Sequence, residues 1–148
     1  MRLEDVRQSI GKEAGVGDWL VISQEMIDRF AELTGDRQWI HVDAGRAVRE
    51  SRFGATVAHG FLTVSLLSRL VAEAVDFRVD SKFRVNYGFN RLRFPAPVKA
   101  GSRIRARVTP NALRDVEGGI EVAWGVVVEI ENQAKPALAA EWLVRAYF

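Results

Sequence analysis

The sequence predicts an α+β domain in which one antiparallel sheet curls around a single apolar helix. Apolar side chains cover nearly every side of residues 60–75, as in a helix that is buried on most faces. After this helix the apolar period changes to two, and four alternating segments follow, as in strands with one buried side. Turn-forming residues separate these segments, so strands that follow one another are expected to pair antiparallel.

The first third of the chain predicts a strand, a helix and a loop. Residues 19–22 form a short apolar run that favours a strand. Ser23 is suited to cap a helix whose apolar residues recur at helical spacing, and Gly35 is suited to end that helix. Residues 36–42 are then expected to form a loop, and residues 44–50 a short helix.

The second half predicts the sheet. Residues 83–89 alternate in polarity, and Leu92 and Phe94 continue in the opposite parity, which a bulge near residues 88–90 would explain. Three further strands are expected around residues 104–108, 122–130 and 142–146. A sheet of this size leaves edges with which a second copy could pair, so we expect a dimer.

Length and composition predict one cytoplasmic domain over residues 1–148. The net charge is +2 and the Lys and Arg residues are scattered, which argues against a nucleic-acid partner. The absence of cysteine excludes disulfides, thiol nucleophiles and cysteine-bound zinc. The N-terminus has no signal-peptide core, and the longest apolar run contains Arg69 and Glu73 and is too short to cross a membrane.

Asp36 and His41 are the first candidates for chemistry because they lie five positions apart in one predicted loop. A carboxylate beside an imidazole is a usable acid/base pair near neutral pH. The alternative is that Asp36 caps a turn and that His41 is a core residue whose hydrogen bonds are satisfied. The spacing is compatible with both interpretations.

His59 and Gly60 stand at the start of the apolar helix. The first N–H groups of a helix have no partner inside it, so Gly60 could donate to an oxyanion; alternatively, Gly60 only permits the helix to start and His59 is a polar cap. A metal site built from His41, Asp43 and His59 is also possible, although the spacing lacks a helical His-x-x-x-His pattern. Ser65 lies inside the predicted helix without a Gly-x-Ser-x-Gly motif, and is expected to orient a neighbour.

Four basic residues fall near one end of the predicted sheet: Arg91, Arg93, Lys99 and Arg103. Such residues usually form a solvated surface. They could also bind the phosphates of a small molecule.

The segments 36–43 and 58–60 resemble the MaoC-like dehydratases, a family of hot-dog-fold proteins that includes the (R)-specific enoyl-CoA hydratases. The family motif is Asp-x-Asn-Pro-(Ile/Leu)-His-x-Asp, and residues 36–43 read Asp-Arg-Gln-Trp-Ile-His-Val-Asp. The later family motif Ala-His-Gly is matched by residues 58–60. The resemblance extends over most of the chain, since residues 86–98 are similar to the family's strand after the helix.

Gln38 and Trp39 depart from the motif, where the family has Asn and Pro. The run Gln-Trp-Ile-His is similar to the NodN-like branch of the family. Both residues are possible substrate-binding residues, and Trp39 could either shorten an acyl tunnel or pack the loop.

The resemblance implies a hot-dog fold and a hydro-lyase that interconverts a trans-2-enoyl thioester and an (R)-3-hydroxyacyl thioester. Asp36 and His41 would activate water, the Gly60 N–H would hold the thioester oxygen, and Ser65 would support Asp36. No metal and no redox cofactor would be needed. The family acts on acyl-CoA or acyl-carrier-protein thioesters as a homodimer or higher homo-oligomer, with the substrate along the subunit interface.

Two other functions are compatible with this fold. A hot-dog thioesterase would need a carboxylate on the central helix, and Glu73 lies late in it. A non-catalytic acyl-thioester-binding or partner subunit would not need both Asp36 and His41.

Overall fold

The computed structural model describes residues 1–148 and contains six helices and six strands. The helices are α1 (Leu3–Gln8), α2 (Gln24–Thr34), α3 (Trp39–Val42), α4 (Ala44–Glu50), α5 (Gly60–Ser65) and α6 (Leu67–Ala74). The strands are β1 (Gly15–Val16), β2 (Leu20–Val21), β3 (Phe83–Arg93), β4 (Arg103–Val116), β5 (Gly119–Ile130) and β6 (Leu138–Tyr147). None of the helices combines the length and the apolar composition that a membrane span requires.

The strands form one antiparallel sheet, which confirms the predicted α+β plan. The order is β1-β4-β5-β6-β3, and β2 also pairs with β4. Trp124 of β5 lies opposite Trp142 of β6, and residues two apart from them continue the same inner face. This face packs on α6, where Leu67 and Leu70 are 1% exposed, and the result is one core cluster of 22 buried residues.

Local capping explains the bounds of α2, which agree with the prediction. The Ser23 side chain accepts a hydrogen bond from the Met26 N–H at 3.2 Å, as an N-cap residue does. At the other end Gly35 adopts φ 77°, a left-handed conformation that costs glycine little, and its N–H donates to the Ala31 carbonyl at 2.9 Å. The predicted helix over residues 44–50 is also confirmed.

The central helix differs from the prediction in two ways. It is interrupted at Leu66, so that α5 and α6 are separate segments. The expectation that most of its faces are buried is wrong, because Phe61 is 70% exposed and Ser65, Ser68 and Ala72 are exposed as well. The sheet covers only one side of this helix, and nothing in a single chain covers the other.

Two short helices were not expected from the sequence. Residues 36–42, predicted as a loop, contain the single turn α3 after three residues without regular secondary structure. The N-terminal α1 buries Val6 against β4, and its first turn is closed by Asp5, whose carboxylate accepts from the Arg2 N–H at 2.7 Å. Both are too short to show a helical period in the sequence.

β3 is an edge strand, and its predicted irregularity is confirmed. It pairs only with β6, and the register shifts twice, between Asn86 and Gly88 and between Phe89 and Arg91. The first shift means that the alternating apolar residues do not share one face. Phe83 and Tyr87 are 55% and 54% exposed, so an apolar strand borders solvent with one edge of its backbone unpaired.

The outer surface of β4 and β5 carries a row of ion pairs, here called the arginine–glutamate ladder. Its members are Arg103 with Glu131, Arg105 with Glu129 at 2.8 Å, and Arg107 with Glu13 at 2.7 Å. Most of these pairs join residues directly across neighbouring strands, or one position away, and they lie at the surface. They cover the outside of the sheet with charge.

Candidate active site

Asp36 is placed by the end of α2. The left-handed turn at Gly35 directs the chain away from the helix axis, and Asp36 is the first residue after it. Its carboxylate is 55% exposed, and one oxygen lies 3.4 Å from the Gln38 N–H. The carboxylate is therefore held near the start of α3 but remains open to solvent on one side.

His41 is buried on α3, and its hydrogen bond determines which ring nitrogen is free. The side chain is 7% exposed, and Nδ1 lies 2.6 Å from the Val57 carbonyl oxygen. A carbonyl oxygen only accepts, so Nδ1 carries a proton and donates it. In the neutral ring Nε2 is then unprotonated, which makes it available as a base.

Burial keeps this imidazole neutral at physiological pH. Desolvation lowers the pKa of His41 below its usual 6.5, and the neighbouring His59 lowers it further. The hydrogen bond to Val57 and the charge of Asp36 act in the opposite direction, and the net shift is downward. His41 is therefore in the form that can accept a proton near pH 7.

The second histidine lies directly against the first. The rings of His41 and His59 are stacked, with centroids 3.7 Å apart and planes at 24°, and Phe30 packs on His59 at 5.0 Å. Nε2 of His59 lies 2.9 Å from the main-chain carbonyl oxygen of Asp36 and 4.0 Å from its carboxylate. This pair is called the histidine stack below.

One carboxylate oxygen of Asp36 and one ring nitrogen each of His41 and His59 lie within 4.8 Å of one another. A water molecule that bonds to two groups at about 2.8 Å spans such a gap. The arrangement is therefore close enough to hold a water between a carboxylate and an imidazole.

The structure does not bring together all of the metal ligands suggested by the sequence, namely His41, Asp43 and His59. Asp43 is not part of the cluster, because its carboxylate caps α4 and accepts from the Arg46 N–H at 2.9 Å; Asp36 takes its place beside the histidines. His41 and His59 each use one ring nitrogen on a carbonyl, and stacking holds their ring planes 24° from parallel. A ring nitrogen binds a metal ion in the plane of its ring, so two stacked rings are poorly placed to share one ion.

Gly60 follows His59 and is the first residue of α5, where the helix itself offers no acceptor for its N–H. A β-carbon at this position would lie 3.1 Å from the Phe94 ring, so any larger residue would require the ring to shift by a few tenths of an ångström. A cavity of about 420 Å³ opens here, lined among others by Gly60, Thr63 and Phe94. The position suits a donor facing a ligand in that cavity.

The other residues singled out in the sequence lie further from the pair or make other contacts. The Ser65 hydroxyl donates to the Phe61 carbonyl at 2.8 Å within its own helix, and no hydrogen bond joins it to Asp36. Gln38 precedes α3, and the Arg46 guanidinium lies 4.3 Å above the Trp39 ring, which ties Trp39 to α4.

Arg91 and Arg93 are exposed on β3. Together with Arg107 they line an open groove on the outside of the sheet, which shares Pro95 with the cavity beside Gly60. The two arginines therefore line a groove that does not include Asp36 or His41, and this groove meets the cavity beside Gly60 at Pro95.

Two residues that support the site were missed by sequence reasoning. Gln24, the first residue of α2, donates from Nε2 to the His41 carbonyl at 2.7 Å, and its Oε1 accepts from the Thr56 hydroxyl. The partners in these two contacts are 17 and 32 positions apart in the chain, so no local sequence pattern predicts them. They fix α3 against α2 and the segment before α5.

Known proteins are similar to this chain over nearly its whole length. The model of the MaoC like domain matches residues 5–132. Nodulation protein N of Rhizobium meliloti (strain 1021) is 45% identical over 152 residues, which cover 99% of this chain and 91% of that protein. 3-hydroxyacyl-thioester dehydratase Z of Mycobacterium tuberculosis (strain ATCC 25618 / H37Rv) is 44% identical over 142 residues, which cover 95% of this chain and 93% of that protein.

Solved structures share the fold at lower identity. The MaoC-like dehydratase from Rhodospirillum rubrum has a TM-score of 0.77 at 20% identity, over 99% of this chain and 97% of that one. The (R)-hydratase from A. caviae has a TM-score of 0.69 at 24% identity, over 91% of this chain and 94% of that one. The antiparallel sheet with its helix is accordingly a hot-dog fold.

Proposed function

The chain belongs to the MaoC-like dehydratase family, and we propose that it interconverts a trans-2-enoyl thioester and an (R)-3-hydroxyacyl thioester with water activated by Asp36 and His41. Membership makes it a hydro-lyase of acyl thioesters. The relative that acts on 3-hydroxyacyl thioesters by name aligns over 95% of this chain. The finer assignments, namely the stereochemistry and the residues that do the chemistry, are the proposal.

The free Nε2 of His41 is the observation that carries the mechanism. Because Nδ1 donates to the Val57 carbonyl, Nε2 can take a proton from a water that also bonds to the Asp36 carboxylate. The water oxygen adds to C3 of the enoyl group, and the electron pair of the double bond moves toward the thioester carbonyl. His41 then returns the proton to C2 on the same face, so one water is added and the imidazole is restored.

The negative charge that builds on the thioester oxygen needs a fixed donor, and the Gly60 N–H fills this role in the proposal. It has no acceptor within its helix, it borders the cavity of about 420 Å³, and it follows directly after His59. Preorganised N–H donors of this kind are worth more in the transition state than in the ground state. Neither this step nor the proton transfer needs a metal or redox cofactor.

A second copy of the chain completes the proposed enzyme. β3 has an unpaired edge with exposed aromatic residues, and the uncovered side of α5 and α6 carries Phe61 beside the small residues Ser65 and Ser68. Such a surface is typical of a partner contact. The substrate would run along the contact, with Arg91, Arg93, Gln38 and Trp39 as possible binding residues and Ser65 lining its path rather than holding Asp36.

The carrier is coenzyme A or an acyl carrier protein, since the proposed chemistry needs only the thioester. We place the reaction in the cytoplasm, which the absence of cysteine suits. Trp39 is held by Arg46 in this structure, which supports the reading that it packs the loop instead of closing an acyl tunnel.

The direct test is the loss of enoyl absorbance when crotonyl-CoA and longer 2-enoyl-CoAs are mixed with the protein. Wild type is expected to consume them, and Asp36→Asn to lower kcat by about 10²–10⁴-fold. Asp43→Asn is the matched control, because Asp43 lies in the same segment but caps α4, and it is expected to keep its rate within about twofold.

Inactive wild type on short and medium chains, or full activity in Asp36→Asn, would make the proposal wrong. Release of free thiol in the same assay would indicate a thioesterase instead. Chiral analysis of the product tests the (R) assignment separately.

A further inference from the structure

His59 has contacts that the proposed acid/base pair does not use. The side chain is 3% exposed and lies between two rings, Phe30 of α2 on one side and His41 on the other. Its Nε2 reaches the main-chain oxygen of Asp36, 23 positions earlier in the chain. One side chain thus contacts both members of the pair and immediately precedes Gly60.

The hydrogen bond fixes the form of the ring. The Asp36 carbonyl can only accept, so the proton of the neutral imidazole lies on Nε2 and Nδ1 carries a lone pair. Nδ1 is the one buried side-chain nitrogen or oxygen of the protein that has no hydrogen-bond partner. A side chain kept only for packing would not leave a polar atom in this state, because a buried acceptor without a donor is destabilising.

We propose that His59 is a positioning residue of the active site: its Nε2–H holds the Asp36 main chain, and its ring holds the face of His41. This inference rests on the proposed hydratase function. The contacts that carry it are the 2.9 Å hydrogen bond and the 3.7 Å stack.

The consequence is that three functional groups share one anchor. Asp36 follows α2, His41 lies on α3 and Gly60 begins α5, so three different elements must meet within a few ångströms. His59 is bonded to the first, stacked on the second and covalently joined to the third. Misplacing reacting groups by about 1 Å can cost about 10²-fold in rate, which sets the size of the effect expected when the anchor is removed.

The charged groups that contact His59 are Asp36 and His41, and Phe30 of α2 carries no charge. Two substitutions separate its two contacts. His59→Phe keeps a ring between Phe30 and His41 but cannot donate to Asp36. His59→Gln places an amide N–H where Nε2 stood but removes the ring.

The experiment measures kcat and KM for enoyl-CoA hydration in wild type, His59→Phe and His59→Gln. Each variant is expected to lose about 10–100-fold in kcat with KM changed by less than about threefold, because substrate contacts remain. Val108→Ala is the control for a general loss of stability, since Val108 is fully buried and lies on β4, whereas the rings of the stack and Phe30 belong to α2, α3 and the start of α5. Each protein is assayed the same number of degrees below its own melting temperature.

The second readout is NMR of the histidine side chains. The chain has two histidines, so each His59 variant leaves His41 as a single imidazole signal. Loss of the stack is expected to move the ring resonances of His41 and, in His59→Gln, to raise its titration midpoint, because His59 is one of the causes that lower the pKa of His41. In wild type, the spectra should show His59 protonated on Nε2 and unprotonated on Nδ1.

Unchanged kcat in both variants, or an equal loss in Val108→Ala, would overturn the positioning role. If wild type hydrates no enoyl thioester, the proposed function fails, and the NMR result alone decides the inference. His41 resonances that do not move in either variant, or a wild-type His59 protonated on Nδ1, would then contradict it.

Discussion

The histidine stack and the arginine–glutamate ladder both gather ionisable side chains, but they treat them in opposite ways. In the ladder each guanidinium has a carboxylate partner, and every pair lies at the surface. In the stack two imidazoles are buried against each other, and their hydrogen bonds go to main-chain carbonyls. The single carboxylate nearby, Asp36, is half-exposed.

This difference separates stability from reactivity. A side chain whose charge is already neutralised by a neighbour has little free energy to gain by moving a proton. The stack instead leaves Nε2 of His41 free to accept a proton, and it leaves Nδ1 of His59 buried without a hydrogen-bond partner, which is unfavourable for folding. Substitutions in the two regions should therefore have opposite effects on rate and on stability.

The largest effect is expected from His41→Gln. Removing the base should lower kcat by about 10²–10⁴-fold, while the thermal midpoint changes little because the ring it replaces is desolvated. Enoyl-CoA hydration and thermal melting measure the two quantities, with Val42→Ala as the control in the next position. A large fall in the thermal midpoint with an unchanged kcat would contradict the assignment of reactivity, rather than stability, to the histidine stack.

Glu121→Gln, which removes an ion-paired carboxylate of β5 outside the ladder, should show the reverse pattern. Glu121 is 3% exposed and pairs with Arg114 at 2.6 Å and Arg145 at 2.7 Å. Removing its charge is expected to cost about 1–2 kcal/mol of unfolding free energy, less than a fully buried pair would, because Arg114 reaches solvent. Urea unfolding measures the loss of unfolding free energy, and kcat should stay within about twofold of wild type. A tenfold fall in kcat would contradict the idea that this ion-paired carboxylate serves stability and not catalysis.

The pH dependence of stability gives a smaller effect with a definite sign. Burial places the pKa of folded His41 below the 6.5 of the unfolded chain, so the unfolded state binds more protons as pH falls below 6.5. The contribution of His41 to the free energy of unfolding is therefore fully present above pH 6.5. It decreases as the pH falls below 6.5, and it stops decreasing once the pH is below the pKa of folded His41. Urea unfolding of wild type and His41→Gln from pH 7.5 to 5 should show the extra loss in wild type alone.

The smallest effect is expected from Arg103→Gln in the ladder. Its partner Glu131 directly follows the neighbouring strand β5, and both side chains reach water, so the pair contributes little to stability and is screened by salt. The thermal midpoint should fall slightly at low salt and match wild type at high salt, with kcat unchanged. A salt-independent fall in the midpoint would show that the ladder does more than cover the surface.

Local sequence determined much of the fold. Ser23 and Gly35 bound α2 by capping, and residues 44–50 form the expected helix. The four long strands follow from alternation. The open side of α5 and α6 could not be predicted, because apolar residues on all sides of a helix indicate burial without saying whether the same chain provides the cover.

The candidate site was predictable in part. The spacing of Asp36 and His41 indicated a pair, and the family motif singled out the same residues. The stack of His59 on His41 and the bond from Gln24 to the His41 carbonyl were not visible, since both depend on the packing of α2, α3 and α5. The interpretation of His59 as a helix cap failed for the same reason: its side chain makes no cap hydrogen bond and turns toward Asp36.

The contact between Gly60 and Phe94 has a consequence for how this protein can diversify. A β-carbon at residue 60 would press on a ring 34 positions later, so the ring would have to shift by a few tenths of an ångström. The two positions are therefore coupled, and an alanine at residue 60 becomes acceptable once residue 94 is smaller. Directed libraries should vary them together, and related sequences that lose the glycine should have changed the aromatic residue in the same lineage.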